Sequence, residues 1–370
     1  MKIKKFGVED WMNRYETQAE YNIAETCVDS LSLRELLNLD PSGLHVLENM
    51  MDRRLTYGDI IGKPEFRQGV ASLYEAIRPD QILSTHGAIG ANHLVLSTLV
   101  DKGDHVIVCT PTYQQLYSLP EAIGAQVDRL ELKEENGYLP KLQELKDLIR
   151  SDTKLICINN PNNPTGALMG RDELDAMIQL AQENDAFILS DEVYRGMSQK
   201  DAEPTPSIAD LYDKGISTGS MSKVFSLAGL RLGWIAGPED VIRRCFSHRD
   251  YSTISCGMID EALAAFALKH KKSILGRNLA LVNRNLAILD DWIQKEERVS
   301  YIKPKAGTTA FVKIDTELPM EQFCLELLEK KSTLMVPGSC FDREGYARIG
   351  YACNAEVLKE GLNQLSLFLR

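Results

Sequence analysis

Two ligand patterns are missing from this 370-residue chain: it has no Cys-x-x-Cys pair and no His-x-x-x-His pair, and its six histidines are dispersed. Zinc sites need clustered thiolates or imidazoles, so the sequence predicts no metal site. Eight cysteines are scattered along the chain, with Cys109 and Cys157 inside apolar strand-like runs. A chain of this size needs no disulfide framework, and buried free thiols are expected. Apolar runs of bilayer-spanning length are also absent. The basic opening Met1-Lys2-Ile3-Lys4-Lys5 leads into Gly7-Val8-Glu9-Asp10 and not into the apolar core of a secretory signal. These absences predict a cytoplasmic protein with no membrane partner. Positive charge is short too: 42 Lys and Arg against 53 Asp and Glu give a net charge of -11. Nucleic acid and anionic membranes are repelled by such a surface, so neither is an expected partner.

What is present is a hydrophobic fraction of 44%, enough for a large buried core and two domains. Residues 105–109, 154–158 and 186–190 are short apolar runs rich in β-branched residues that end in polar or turn residues. They read as buried parallel strands. Between them, 141–150 and 172–184 repeat apolar residues every three and four positions, as amphipathic helices do. The predicted fold is therefore α/β, a mostly parallel sheet sandwiched by helices. Beyond about Leu279 the pattern changes to helices alternating with candidate strands at 308–314 and 346–351, which suggests a smaller α+β domain. The expected division is an N-terminal arm, 1–40, packing on the smaller domain or a partner subunit; a large domain, 41–278; and a small domain, 279–370. Within the arm, Ser30 or Ser32 is placed to cap a helix through Leu33, Leu36 and Leu37.

Ligands of parallel α/β sheets sit beyond the carboxyl ends of the strands. Tyr113, Asn163 and Asp191 each follow or end one of the predicted strands. Lys223, in Ser220-Met221-Ser222-Lys223, lies between a predicted strand at 216–219 and an apolar segment. A lysine in such a place can condense with an aldehyde and then shuttle a proton. Alone it would be a surface lysine at a strand end, but that leaves Ser220, Ser222 and Arg231 unexplained. Those three supply two hydroxyls and one bidentate guanidinium for a phosphate. His86-Gly87-Ala88-Ile89-Gly90 opens a helix-like stretch whose free amides suit the same anion.

Asp191 ends an apolar strand, where an ionised carboxylate needs a cation to offset its desolvation. A pyridinium nitrogen meets that need, and Asn163 and Tyr194 can bond the ring hydroxyl oxygen. Tyr113 either stacks on the ring or is a core aromatic. The set matches the requirements of pyridoxal 5'-phosphate: an amine for the aldehyde, an acid for the ring nitrogen and donors for the phosphate.

These residues together resemble the class I and II aminotransferases of fold type I, over most of the chain from about Tyr57 onward. The resemblance implies Lys223 as the lysine joined to the cofactor, Asp191 on the pyridine nitrogen, Asn163 and Tyr194 on the ring oxygen and Tyr113 stacking. It also implies that Ala88 and Ile89 amides, Ser220, Ser222 and Arg231 hold the phosphate. Leu55-Thr56-Tyr57-Gly58 resembles the segment that sends a tyrosine into the partner subunit's phosphate site, so Tyr57 implies a homodimer with shared sites. Tyr346-Ala347-Arg348-Ile349-Gly350 resembles the strand whose arginine binds the substrate α-carboxylate, which points to Arg348.

The segment 21–30 lacks the usual short glycine turn near the substrate and is similar to the branch that includes capreomycidine synthases and arginine oxidases. That similarity implies Glu25 and Asp29 facing a guanidinium or ammonium group. The expected activity is transfer of an amino group from an amino acid to a 2-oxo acid. A lyase, cyclase or oxidase acting on an arginine-like amino acid is the alternative on the same scaffold. A non-catalytic, ligand-sensing domain is the alternative of another class, which the complete Lys223, Asp191 and Arg231 set disfavours.

Overall fold

The computed structural model describes residues 2–200 and 202–370. Seven strands form the main sheet in the order Ile82–Thr85, Gly233–Ala236, Gly215–Ser220, Phe187–Asp191, Thr153–Asn159, His105–Thr110, Gln126–Glu131. The five strands from Gly215–Ser220 to Gln126–Glu131 run parallel, and Gly233–Ala236 is antiparallel to both of its neighbours. The mostly parallel sheet read from the sequence is thus present, with an antiparallel strand near one edge.

Alternation along the strands divides the core into two layers. Val106, Val108, Leu155, Cys157 and Leu189 face one side, where they meet Ala91, Val95 and Leu99 of the Gly87–Leu99 helix and Leu116 of the Gln115–Ile123 helix. Ile107, Cys109, Ile156, Ile158 and Ile188 face the other, against Leu174, Met177 and Ala181 of the Arg171–Glu183 helix. Residues of both layers are withdrawn from water, so the continuous apolar runs reflect burial on both faces. No helix among the described residues is long and apolar enough to cross a membrane.

A second, four-stranded sheet has the order Val336–Pro337, Tyr346–Gly350, Thr309–Ile314, Val299–Tyr301 and is antiparallel throughout. The chain reaches it through one helix, Lys271–Ile293, that runs through the boundary expected at 278/279. Ser32 caps the Leu33–Leu37 helix, its hydroxyl accepting from the Glu35 amide while Glu35 returns to the Ser32 amide. The arm ahead of it is tied to the second sheet's side of the molecule: Tyr21–Asn22 pairs in parallel with Thr333–Leu334, and Trp11 Nε1 donates to Met335 O at 2.8 Å. It also touches the main sheet's loops, since Gly7 N donates to Gln114 Oε1 at 2.7 Å.

Candidate active site

Four strands of the main sheet end in the polar residues Thr110, Asn159, Asp191 and Ser220. Beyond the last three lies a cavity of about 270 Å³. Its walls come from the start of the Gly87–Leu99 helix, the loops after those strands, the arm and Arg348 of the second sheet. Of the residues singled out from the sequence, Lys223, Asp191, Tyr194, Asn163, Tyr113, Ala88, Ile89, Ser220, Ser222, Arg231, Arg348 and Glu25 all line it.

At one end, close packing of backbone on backbone shapes an anion cradle. Gly87 has φ +68, and a Cβ there would stand 3.2 Å from Arg231 Nη2, so glycine lets the guanidinium approach the helix start. A Cβ on Gly233 would lie 2.6 Å from Ala88 N, which leaves the helix N-terminus seated directly on the strand. Arg231 itself adopts φ 51 and anchors Nη1 to Ala228 O at 2.9 Å. A non-glycine residue in the left-handed region is held there by its surroundings; here that turn aims the guanidinium at Gly87. Ser220 and Ser222 complete this wall.

Deeper in, Asp191 is 4% exposed. Asn92 Nδ2 donates to its Oδ2 at 2.7 Å and the Val193 amide to its Oδ1 at 3.2 Å. Both donors are neutral, and among the described residues no cationic side chain pairs with Asp191. Burial therefore raises its pKa to about 6, against the pull of Asn92, the Val193 amide and Lys223. A buried carboxylate with neutral support and a cavity in front of it is suited to a protonated ring nitrogen, and the glycine-seated cradle beside it is suited to a phosphate. Both features fit pyridoxal phosphate.

Lys223 has a side chain 25% exposed, with its Nζ donating to Thr26 Oγ1 at 2.6 Å and to Cys27 Sγ at 3.4 Å. Glu25 Oε1 lies 4.0 Å away. Burial works against the ammonium charge, yet Cys27, Tyr194 and Glu25 hold its pKa above the ordinary lysine value. Glu25 is itself shifted: burial opposes its charge, but Lys223 and the Cys27 and Thr26 amides bring it down to about 2. Tyr113 donates to Glu9 Oε1 at 2.7 Å and meets the Phe6 ring at 4.8 Å, so its phenol is fixed by the arm.

Arg348 is 3% exposed. It donates from Nη1 to Asn163 Oδ1 at 3.2 Å and from Nη2 to Ala24 O at 2.8 Å, while its Nε has no partner. A buried guanidinium at the cavity wall, with donors not all used, suits a planar anion.

Two expected residues lie elsewhere. Asp29 does not line the cavity, which corrects its pairing with Glu25: its carboxylate is 3.7 Å from Arg277. The reason is local, since buried Val28 is pinned to Lys223 O and the Asp29 amide to Ala352 O, turning the next side chain outward. Tyr57 is 66% exposed and does not line this chain's cavity, in a stretch where Met51 and Leu55 are also exposed.

Sequence reasoning missed Asn92, Thr26, Cys27, Glu9 and Glu16, all of which line the cavity. Asn92 carried a weak signal, an amide in the first half of a mostly apolar helical stretch. Glu9 and Glu16, seven positions apart, share a helical face, but nothing local ties that face to residues a hundred positions on.

A family profile described as aminotransferase class I and II matches residues 33–365. Capreomycidine synthase of Streptomyces vinaceus is 31% identical over 365 residues, which cover 97% of this chain and 92% of that protein. Aspartate aminotransferase of Pyrococcus horikoshii is 30% identical over 314 residues, covering 82% and 80% of the two chains. Among solved structures, a PLP-dependent aminotransferase from Streptococcus suis superposes with a TM-score of 0.96 at 49% identity, covering 100% of this chain and 98% of that one.

Proposed function

The chain belongs to the class I and II aminotransferases, whose cofactor is pyridoxal 5'-phosphate, and we propose that it moves an amino group from an amino acid to a 2-oxo acid. The observation that supports this reading most is the convergence on one cavity of Lys223, Asp191 and the Gly87–Arg231 cradle. In this reading residues 41–278 hold the cofactor, 279–370 close over it and 1–40 form one wall.

Bound there, the cofactor supplies an electron-accepting ring that stabilises negative charge at the substrate α-carbon. The protein's own residues do the rest. Lys223 anchors the aldehyde and, once released, carries a proton at Nζ. Asp191 keeps the ring nitrogen protonated, which its desolvated, cation-free setting favours. Asn163 and Tyr194 orient the ring oxygen, and Tyr113, held by Glu9, covers one face. Ala88 and Ile89 amides, Ser220, Ser222 and Arg231 grip the phosphate. Arg348 receives the substrate carboxylate on its forked Nη groups.

A homodimer is part of the proposal. Supporting it is the exposed run from Met51 to Tyr57, in which Met51, Leu55 and Tyr57 present large apolar side chains to solvent among charged residues.

A second reading, a lyase, cyclase or oxidase acting on an arginine-like amino acid, draws support from the substrate side of the cavity. Glu9, Glu16 and Glu25 all line it, and Glu16 has its pKa raised by burial and by neighbouring Glu25. A cationic side chain would relieve that crowding. Assays with a panel of amino donors, with and without a 2-oxo acid, separate the two. Transamination requires the acceptor; ammonia release or oxygen uptake without it supports the second reading.

A further inference from the structure

The Thr26 hydroxyl is the shortest contact of the Lys223 amine, at 2.6 Å. Thr26 is buried and is fixed from two sides. Its carbonyl accepts from Thr308 Oγ1 at 2.7 Å, and its amide donates to Glu25 Oε1 at 2.7 Å. Two residues earlier, Ala24 O accepts from Arg348 Nη2 at 2.8 Å, and Ile23 O accepts from Gly350 N at 2.8 Å. The segment is thus bonded to the second sheet while its hydroxyl reaches the lysine that follows a strand of the first. Nothing in the side-chain chemistry of Thr26 suits it to take part in bond making. What it offers is one acceptor at a fixed position.

We propose that Thr26 is the positioning residue for Lys223, holding the free amine in its working place whenever it is not joined to the cofactor. This rests on the reading of Lys223 given above. The contact matters in two states. In the cofactor-free protein it stabilises the ammonium form and so slows condensation with an aldehyde, which needs the neutral amine. During turnover it keeps the released amine within reach of the α-carbon proton, where small misplacements are costly. Because Arg348 holds the same segment, a carboxylate seated on Arg348 acts on the backbone that carries the Thr26 hydroxyl.

Other groups around Lys223 also influence its charge: Glu25 and Cys27 from the arm, Glu16 beyond them, Asp191 at the end of the strand Phe187–Asp191 and Tyr194 from the loop after it. All of them remain after a change at Thr26, and of these Tyr194 also bonds the Thr26 hydroxyl, so a shift on its substitution reports that hydroxyl together with its bond to Tyr194.

The test uses Thr26→Val, which keeps the shape and removes the acceptor, and Thr26→Ser, which keeps the acceptor. Pyridoxal 5'-phosphate is added to each cofactor-free protein and growth of the visible band is followed from about pH 7 to 11, the rising limb along which the neutral amine becomes available. For Thr26→Val the pH profile should move down by about one unit, making the band form about tenfold faster at neutral pH, the factor expected from losing one hydrogen bond to a charged group. Exchange of the substrate α-hydrogen in deuterated water by the loaded enzyme, taken per neutral amine, should slow by roughly tenfold or more. Thr26→Ser should match the parent in both. A structural lesion would slow both rates together and would not produce this opposite movement. If Thr26→Val does not accumulate as folded protein, Thr26→Ala serves in its place. An unshifted profile in the hydroxyl-free variant, or a Thr26→Ser protein that behaves like it, overturns the inference. Retention of the visible band by Lys223→Ala would overturn the functional reading beneath it, so the two failures are distinguishable.

Discussion

Asn92 and Asp191, ninety-nine positions apart, meet side chain to side chain at 2.7 Å. Asn92 in turn accepts from Thr218 Oγ1 at 2.7 Å, so the carboxylate is held by the same helix whose first residues form the anion cradle. One rigid element therefore sets the distance between the phosphate and ring-nitrogen ends of the site.

The cofactor-free protein should pay for that carboxylate in stability. Asp191 titrates at about 6 in the fold and at 3.8 ordinarily. Between those values the folded state holds a proton that the unfolded chain has released, so stability falls as pH rises through that window. Below about 3.8 the effect is absent, and above about 6 it is complete, at about 3 kcal/mol. Urea unfolding of cofactor-free protein at stepped pH should show this slope, and Asp191→Ala should lack it; equal slopes would contradict the assignment.

Arg348 is expected to recognise the α-carboxylate. Arg348→Lys keeps charge but loses the fork, so the KM for amino acids should rise by roughly 10- to 100-fold, equivalent to one or two hydrogen bonds to a charged group. Amines that lack the carboxylate should be affected little in steady-state assays. A uniform loss across both substrate types would point to a structural role instead.

The proposed sharing of sites in a homodimer makes a prediction that single mutants cannot. A hybrid of one Tyr57→Ala subunit with one Lys223→Ala subunit keeps one site in which lysine and tyrosine are both native. Mixing and refolding the two weak variants should restore activity, measured against each unmixed control. No recovery in verified hybrids would place Tyr57 outside the partner's site.

The second reading proposed above gives Glu25 a role in distinguishing substrates by charge. Glu25→Gln should lower kcat/KM for amino acids with cationic side chains by about tenfold more than for neutral ones, which share any change at Lys223, the scale of one ion pair in a partly buried site. Competition between an arginine donor and its uncharged isostere citrulline reads this directly. Equal effects on both would remove Glu25 from side-chain recognition.

Much of the sheet was legible because strands buried on both faces leave continuous apolar runs, as at 105–109 and 154–158. Lys223, Asp191 and Asn163 stood out because polar residues immediately after such runs face the sheet's open edge. Arg348 and Tyr57 carried no such mark and came from family likeness alone. The carboxylates divide instructively. Glu25 and Asp29 are near neighbours of one type, yet the pinning of Val28 sends one inward and the other to Arg277. That direction depends on backbone bonds to Lys223 and Ala352, which no local pattern encodes. Glu9 and Thr26 escaped notice for the same reason, since each acquires its role only when the arm folds across distant loops.

The most direct test of the account is the absorption spectrum of Lys223→Ala purified with added pyridoxal 5'-phosphate and passed through a desalting column. The account predicts a folded protein without the visible band of lysine-joined cofactor and without amino transfer. A variant that keeps both the band and the turnover would show that the amine at the cofactor is supplied from somewhere else.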